Sequence, residues 1–212
     1  MYSYKGWHFP DLDSHFQNAV DIFPQTTYQQ LALETALKYV KTFDTAIDAG
    51  ANIGLQSVRI SKFFSRVYAF EPTSLNFECL YENTKNIPNI IVKKIGLGDQ
   101  HQFTNIHLPK ISNNCGAFSI VDFVQYEDDL YTEEIEILQL DSFELIPNFI
   151  KIDTQGFELC ILKGSKKTLQ NKPVLLIECE KKNEKIKINE FLTPLGYKLV
   201  ETVRKDTIWI CE

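Results

Sequence analysis

The chain has no apolar run approaching the roughly 20 residues needed to cross a bilayer. Its first residues, Met1-Tyr2-Ser3-Tyr4-Lys5, lack the apolar core of a secretory leader. Both absences predict a cytoplasmic protein without a membrane partner. Paired cysteines are missing as well. The five (Cys79, Cys115, Cys160, Cys179, Cys211) are scattered, odd in number and form no Cys-x-x-Cys pair, which excludes a disulfide framework and a zinc site. Cys79, Cys160 and Cys179 sit in apolar segments and read as buried hydrophobes. The four histidines lack metal-ligand spacing, so no metal is expected. Basic charge is also short: 22 Lys and Arg against 28 Asp and Glu give a net charge of −6, which argues against nucleic acid as a partner. The basic residues gather late in the chain, where residues 163–212 hold eleven against seven acidic ones. That stretch reads as a solvated helix face, with a site for an anionic substrate or partner as the other reading. Neither an internal repeat nor a low-complexity linker is present.

At 212 residues, 44% of them hydrophobic, the chain suits one domain with a full core. Residues 1–43 read as an arm and a helix packed on the core. Trp7, His8, Phe9 and Phe16 suggest a possible lid in an otherwise irregular stretch, and Thr26 or Thr27 would cap a helix over about 28–41. From residue 44 strands alternate with helices. Strands are expected at about 44–49, 67–70, 90–95, 149–153 and 174–178. Helices are expected at about 52–64, 74–86 (capped by Thr73 or Ser74), 157–170 and 184–194. Residues 100–141 break this rhythm and read as an insertion with one or two antiparallel strands. Within it, Asn113 to Ser119 suits a substrate-contacting loop or an ordinary turn. The tail, Tyr197–Val203 and Thr207–Cys211, reads as a hairpin. Strand–helix alternation predicts an α/β fold, a mainly parallel seven-stranded sheet with helices on both faces.

The most informative stretch is Asp48-Ala49-Gly50-Ala51-Asn52-Ile53-Gly54, followed by Phe70-Glu71-Pro72. A β-prone run leads into the first and an apolar-periodic run leads out, which makes a strand, a glycine turn and a helix start. Such a turn lets a ligand approach bare backbone, and free N–H groups are expected there. Glu71 lies 21 residues beyond Gly50, at the end of the next strand, where an acid can accept hydrogen bonds from both hydroxyls of a ribose. A nucleoside-type cofactor follows. In parallel sheets ligands bind beyond the carboxyl ends of the strands. The polar residues gather there: Asp48 to Asn52, Glu71, Gly98-Asp99, Asp153 to Glu158, and Glu178-Cys179-Glu180.

These blocks, together with Lys151-Ile152-Asp153-Thr154-Gln155-Gly156-Phe157-Glu158, Leu162-Lys163-Gly164 and Ile177-Glu178, resemble the FkbM-type methyltransferases over about residues 44–180. The resemblance implies the Rossmann-like class I methyltransferase fold, S-adenosylmethionine as cofactor, and O-methylation of a hydroxyl on a saccharide or other small molecule. It implies cofactor contacts from Asp48, Gly50, Asn52, Gly54, Glu71, Pro72, Gly98 and Asp99. Asp153 would face the methyl donor and the acceptor. The family often has an acid where this chain has Gln155, which leaves Asp153, Glu158 and Glu178 as the carboxylates for catalysis. Simpler readings exist for three of these: Asp99 as a turn residue, Asp153 as a helix cap, and Glu158 as a first-turn acid favoured by the helix dipole.

Two competing functions remain open on the residues alone. An NAD-type oxidoreductase would also use Glu71, but Gly50 to Gly54 lacks the Gly-x-Gly-x-x-Gly turn that holds a pyrophosphate. A catalytically inactive nucleoside-binding module would keep the fold and lose the chemistry. Lys151 stands out separately. A lysine in the middle of a strand covered on both faces needs a partner. Glu178 is the first candidate and Asp48 the alternative.

Overall fold

The computed structural model describes residues 1–11, 29–109 and 130–211. The expected contacts of Phe16 and of Asn113 to Ser119, and the caps Thr26 and Thr27, lie outside these residues. The N-terminal stretch is more regular than its composition suggests. Strands β1 (Tyr2–Tyr4) and β2 (Trp7–Phe9) form an antiparallel hairpin. Trp7 and Phe9 are buried against Ile53, Leu55 and Cys79. The Asn83 side chain fixes the hairpin by accepting from the His8 N–H at 2.7 Å and donating to the His8 carbonyl at 3.0 Å.

The core follows as α1 (Gln30–Leu37), β3 (Thr45–Ala49), α2 (Leu55–Ile60), β4 (Arg66–Phe70), α3 (Ser74–Thr84), β5 (Ile90–Lys93) and β6 (Gly96–Leu97). Then come β7 (Gln102–Pro109), β8 (Leu130–Leu138), β9 (Phe149–Ile152), α4 (Glu158–Lys163), β10 (Val174–Glu178), α5 (Lys182–Leu192), β11 (Tyr197–Val203) and β12 (Asp206–Cys211). The main sheet has the order β11-β12-β10-β9-β3-β4-β5. Pairs β10–β9, β9–β3, β3–β4 and β4–β5 are parallel, while β12 runs antiparallel to both β10 and β11. The tail is therefore the expected hairpin, inserted so that β12 lies inside the sheet and β11 at its edge. Residues Gly96 and Leu97, beyond the strand expected over about 90–95, add a short strand to β8, which also pairs antiparallel with β7.

Strand side chains alternate between the two faces, and the buried residues sort accordingly. Ile47, Ile150, Ile152, Leu175 and Ile177 face a cluster completed by Ile161, Leu162, Ile188 and Leu192 from α4 and α5. Ala46, Phe149, Val174, Leu176 and Ile208 face the other cluster, completed by Leu33 and Ala36 of α1 and Ile60 of α2. The same parity carries this second face onward to Asp48, Lys151, Glu178 and Asp206. Buried charged residues thus interrupt this apolar face near the carboxyl ends of the parallel strands.

The caps differ from the expected ones. Thr73 stands at the N-cap of α3 without a side-chain capping bond, because its hydroxyl donates to Glu71 Oε1 at 2.7 Å. The carboxylate of Glu133, reaching over from β8, accepts the Ser74 N–H at 2.9 Å instead. That bond ties the added strands to the helix. A long-range partner of this kind leaves no local mark in the sequence. Among the described residues, no helix is long and apolar enough to cross a membrane.

Candidate active site

A cleft of about 670 Å³ opens at the carboxyl ends of β3, β4 and β9. The end of β3 contributes Ala49, Gly50 and Asn52; the end of β4 contributes Phe70, Glu71, Pro72 and Thr73, with Asn76 from α3. Asp153, Thr154 and Gln155 follow β9. Leu97, Ile106, Ile137, Phe157 and Ile161 supply an apolar slot. Mostly apolar walls with a few converging polar groups are usual for a small-molecule site.

Glycine at position 50 is required twice over. Its φ is +76°, and a Cβ there would lie 2.0 Å from the Asp153 carbonyl oxygen. The expected free N–H groups are absent, however. Gly50 and Ala51 both donate to the Phe70 carbonyl, at 3.1 and 2.9 Å. Asn52 donates to Glu71 Oε2 at 2.9 Å, Ile53 to Asn52 Oδ1 at 2.7 Å, and Gly54 to the Ala51 carbonyl at 2.9 Å. Every amide of the turn is occupied, so it brings a ligand close to backbone without offering an anion cradle.

Glu71 is buried at the cleft wall. Its Oε1 accepts from the Thr73 N–H at 3.1 Å and from the Thr73 hydroxyl. Burial pushes its carboxyl up, and the hydrogen bonds from Thr73, Asn52 and Asn76 pull it back only in part.

Beneath the cleft lies an ionic stripe. Lys151 Nζ sits 3.0 Å from Asp48 Oδ1, 3.0 Å from the Gly50 carbonyl and 3.8 Å from Asp153 Oδ2. Burial alone would lower the lysine, but Asp48 and then Asp153 outweigh it, and its ammonium is held well above its ordinary range. Asp48 also accepts from Ser57 Oγ at 2.6 Å. The lysine's partner is therefore Asp48 rather than Glu178. Register decides it: Lys151 lies directly opposite Asp48 on β3, and on its other side opposite Leu176, two residues short of Glu178. Glu178 pairs instead with Lys205 from the β11–β12 turn.

Asp153 lines the cleft with its Oδ2 reached by Gln29 Nε2 at 3.4 Å and its Oδ1 by Gln155 Nε2 at 3.2 Å. Burial would raise its carboxyl; Lys151, Glu178 and Gln29 together hold it below its ordinary value. Gln155, at the position where the family often has an acid, lines the cleft; Gln29, Thr73, Asn76 and Lys205 were not expected at the site. Gln29 stands at the N-cap of α1, 124 residues from Asp153 in sequence, so no local motif signals it.

Six expected site residues stand elsewhere, Glu178 among them, paired with Lys205. Asp48 lies fully buried under the cleft, not on its wall. Gly54 meets α3, where a Cβ would come within 2.9 Å of Leu80 Cδ1; it is a helix-packing glycine. Gly98 is pressed between Ile137 and Phe157, behind the apolar slot. Asp99 is exposed and bonds Gln139 through its carbonyl. Glu158 turns back on its own loop, accepting the N–H groups of Thr154 at 3.0 Å and Gly156 at 3.0 Å. It fixes the loop after β9 and does not reach the cleft. Among the described residues, no group of three His, Cys, Asp or Glu side chains is placed to hold a metal ion.

The methyltransferase FkbM domain model matches residues 48–199, which takes in the glycine turn, Glu71, the β9 loop and the acid after β10. The chain belongs to the FkbM methyltransferase family. A curated relative, the hexuronic acid methyltransferase AglP of Haloferax volcanii, is 28% identical over 71% of this chain, and the match spans 62% of that protein's length. The crystal structure of an FkbM methyltransferase from Methylobacillus flagellatus superposes with a TM-score of 0.55 at 22% identity, over 88% of this chain and 47% of that one. A methyltransferase-fold protein from Streptococcus mutans in complex with SAH superposes with a TM-score of 0.52 at 14% identity, over 85% of this chain and 94% of that one. The fold is the Rossmann-like methyltransferase fold.

Proposed function

We propose that this FkbM-family methyltransferase uses S-adenosylmethionine to methylate a hydroxyl on a saccharide or other small molecule. The carrying observation is Glu71, a buried carboxylate on the cleft wall, facing the tight Gly50 turn. The donor set fits the cofactor group by group. A carboxylate has about four acceptor positions; Asn52, Thr73 and Asn76 fill them, and the two side-chain donors, the Thr73 hydroxyl and the Asn76 amide, can swing away for a ribose diol. Ile106, Ile137 and Phe157 form the slot for adenine, and Asp99 stands outside it. Gly50 allows the amino-acid end of the cofactor to pass close to backbone. A dinucleotide is disfavoured, because its pyrophosphate needs free amides at this turn and all five are occupied.

When bound, the cofactor supplies an activated methyl group on a cationic sulfonium. The chain supplies position and a proton acceptor. Asp153, held ionised above Lys151, is the base for the acceptor hydroxyl. Gln155 and Gln29 fix the orientation of its carboxylate. AglP by name acts on a hexuronic acid, which supports a sugar as acceptor class here. The test is a screen of methyl transfer from S-adenosylmethionine to neutral saccharides and uronates, with Asp153→Asn beside the wild type. A methylated neutral saccharide, lost in the variant, is the expected result. Methylation confined to uronate carboxylates would overturn the hydroxyl assignment, and unchanged turnover by Asp153→Asn would overturn the base.

A further inference from the structure

Glu178 does not line the cleft, yet it is bound to a residue that does. Gln155 Nε2 donates to Glu178 Oε2 at 2.7 Å and to Asp153 Oδ1 at 3.2 Å. One amide group therefore holds two carboxyls together, and Gln155 adopts a left-handed backbone (φ 54°) at that point. Glu178 is almost fully buried, its side chain 3% exposed.

Charged groups surround it on several sides. From β9 comes Lys151, and from the loop after it Asp153. Asp206 of β12 lies directly opposite it in register. Lys205, from the turn before β12, pairs with it and also with Glu180, at 2.9 Å. The cations are thus shared: Lys151 is engaged by Asp48 and the Gly50 carbonyl, and Lys205 is divided between two acids. Two carboxyls so close cannot both ionise freely, so they keep a proton between them. It rests on Glu178, whose carboxyl is pushed up to about 8, first by burial and then by the negative charge of Asp153. Asp153, beside Lys151, is the ionised member.

We infer that Glu178 is a specificity-determining residue, acting through Asp153, which lets the cleft distinguish the cationic methyl donor from its neutral demethylated product. The inference rests on the donor being S-adenosylmethionine. A sulfonium seated near Asp153 replaces the proton held by the acid pair. That proton leaves to solvent past Lys205, whose side chain is 42% exposed. Transfer of the methyl group forms a C–O bond, breaks the C–S bond and leaves a neutral thioether. The acceptor's hydroxyl proton then returns to the acid pair. Product binding loses the ionic contribution that donor binding had, which favours its exchange for fresh donor.

The test measures dissociation constants of S-adenosylmethionine and S-adenosylhomocysteine for the full chain between pH 6 and 9. Calorimetry in buffers of different ionisation enthalpy counts the protons released. Release of one proton predicts that donor affinity rises about tenfold per pH unit up to pH 8 and then levels. The homocysteine compound should lack this added slope. Glu178→Gln, isosteric and without a proton to release, should remove it. Lys205→Met, a change at a half-exposed side chain, should move the levelling point to higher pH. Equal slopes for the two ligands, or an unchanged donor slope in Glu178→Gln, would overturn the inference while leaving the cofactor assignment standing. Failure of both ligands to bind folded protein would overturn the cofactor assignment itself.

Discussion

Replacing Lys151 with alanine removes the counter-charge of a residue that water cannot reach. Asp48 is 0% exposed, and its other close partner is the neutral hydroxyl of Ser57. Breaking a buried ion pair from one side costs about 3–5 kcal/mol, because the remaining charge stays buried without compensation. For a domain of this size each kcal/mol moves the melting midpoint by roughly 2–4 °C, so a fall of roughly 6–20 °C is expected. The assay is urea unfolding followed by circular dichroism at pH 7. Lys151→Met, which keeps the apolar stem, should lose nearly as much as Lys151→Ala, since charge and not packing is the cause. The double variant Asp48→Asn/Lys151→Met should lose much less than the sum of its single changes, as it leaves no orphaned charge. The folded lysine is held above its ordinary range, and the stability a raised base contributes is complete below its unfolded pKa of about 10.4. The lysine's own titration therefore adds no pH dependence to the loss between pH 6 and 9. A loss under about 1 kcal/mol, or additive single changes, would refute the buried-pair reasoning.

Gly50→Ala places a Cβ 2.0 Å from the Asp153 carbonyl at a φ of +76°, so the loops after β3 and β9 must separate. Strained backbone of this kind costs about 1–3 kcal/mol, and calorimetry should show cofactor binding weakened by more than tenfold in protein that is still folded. Glu178 gives a pH dependence of stability opposite to that of an ordinary salt-bridged acid. Its folded pKa is raised to about 8, against about 4.3 unfolded, so the native state holds the extra proton and stability falls as pH rises through that window. Asp206, raised to about 6 by burial and then by Asp153, adds to the fall at the acidic end. Thermal melts should therefore show Glu178→Gln gaining on the wild type as pH goes from 5 to 8; parallel curves would contradict the raised carboxyl.

The order of strands and helices was legible because parallel strands buried on both faces leave continuous apolar runs, such as Val174 to Ile177, between helical periodicities. The wall of the cleft was legible for a different reason. Gly50 and Glu71 sit at strand ends, where a short motif and a fixed spacing determine position. Residues whose role depends on a partner far away in sequence were not legible. Glu133 caps α3 from 59 residues away, and Gln29 reaches Asp153 across 124. Lys151 announced a buried pair, but choosing between Asp48 and Glu178 required the β3–β9 register, which the hydrophobic pattern does not encode. The free amides expected at the glycine turn failed for a related reason: the Phe70 carbonyl on the next strand already accepts two of them. Asp99 and Glu158 illustrate the opposite error. Both are acids beside a glycine turn, yet one points to solvent and the other satisfies its own loop.

Calorimetric titration of S-adenosylhomocysteine into the wild type and Glu71→Ala, with NAD as the control ligand, bears most directly on the function. Micromolar binding of the homocysteine compound, weakened tenfold or more by the substitution, with none for NAD, is the predicted result. Hydrogen bonds to a charged acceptor contribute about 1.5–3 kcal/mol, which covers that loss. Equal binding by wild type and Glu71→Ala would contradict the ribose assignment, and tight binding of NAD would contradict the assignment of the cleft to a methyl donor.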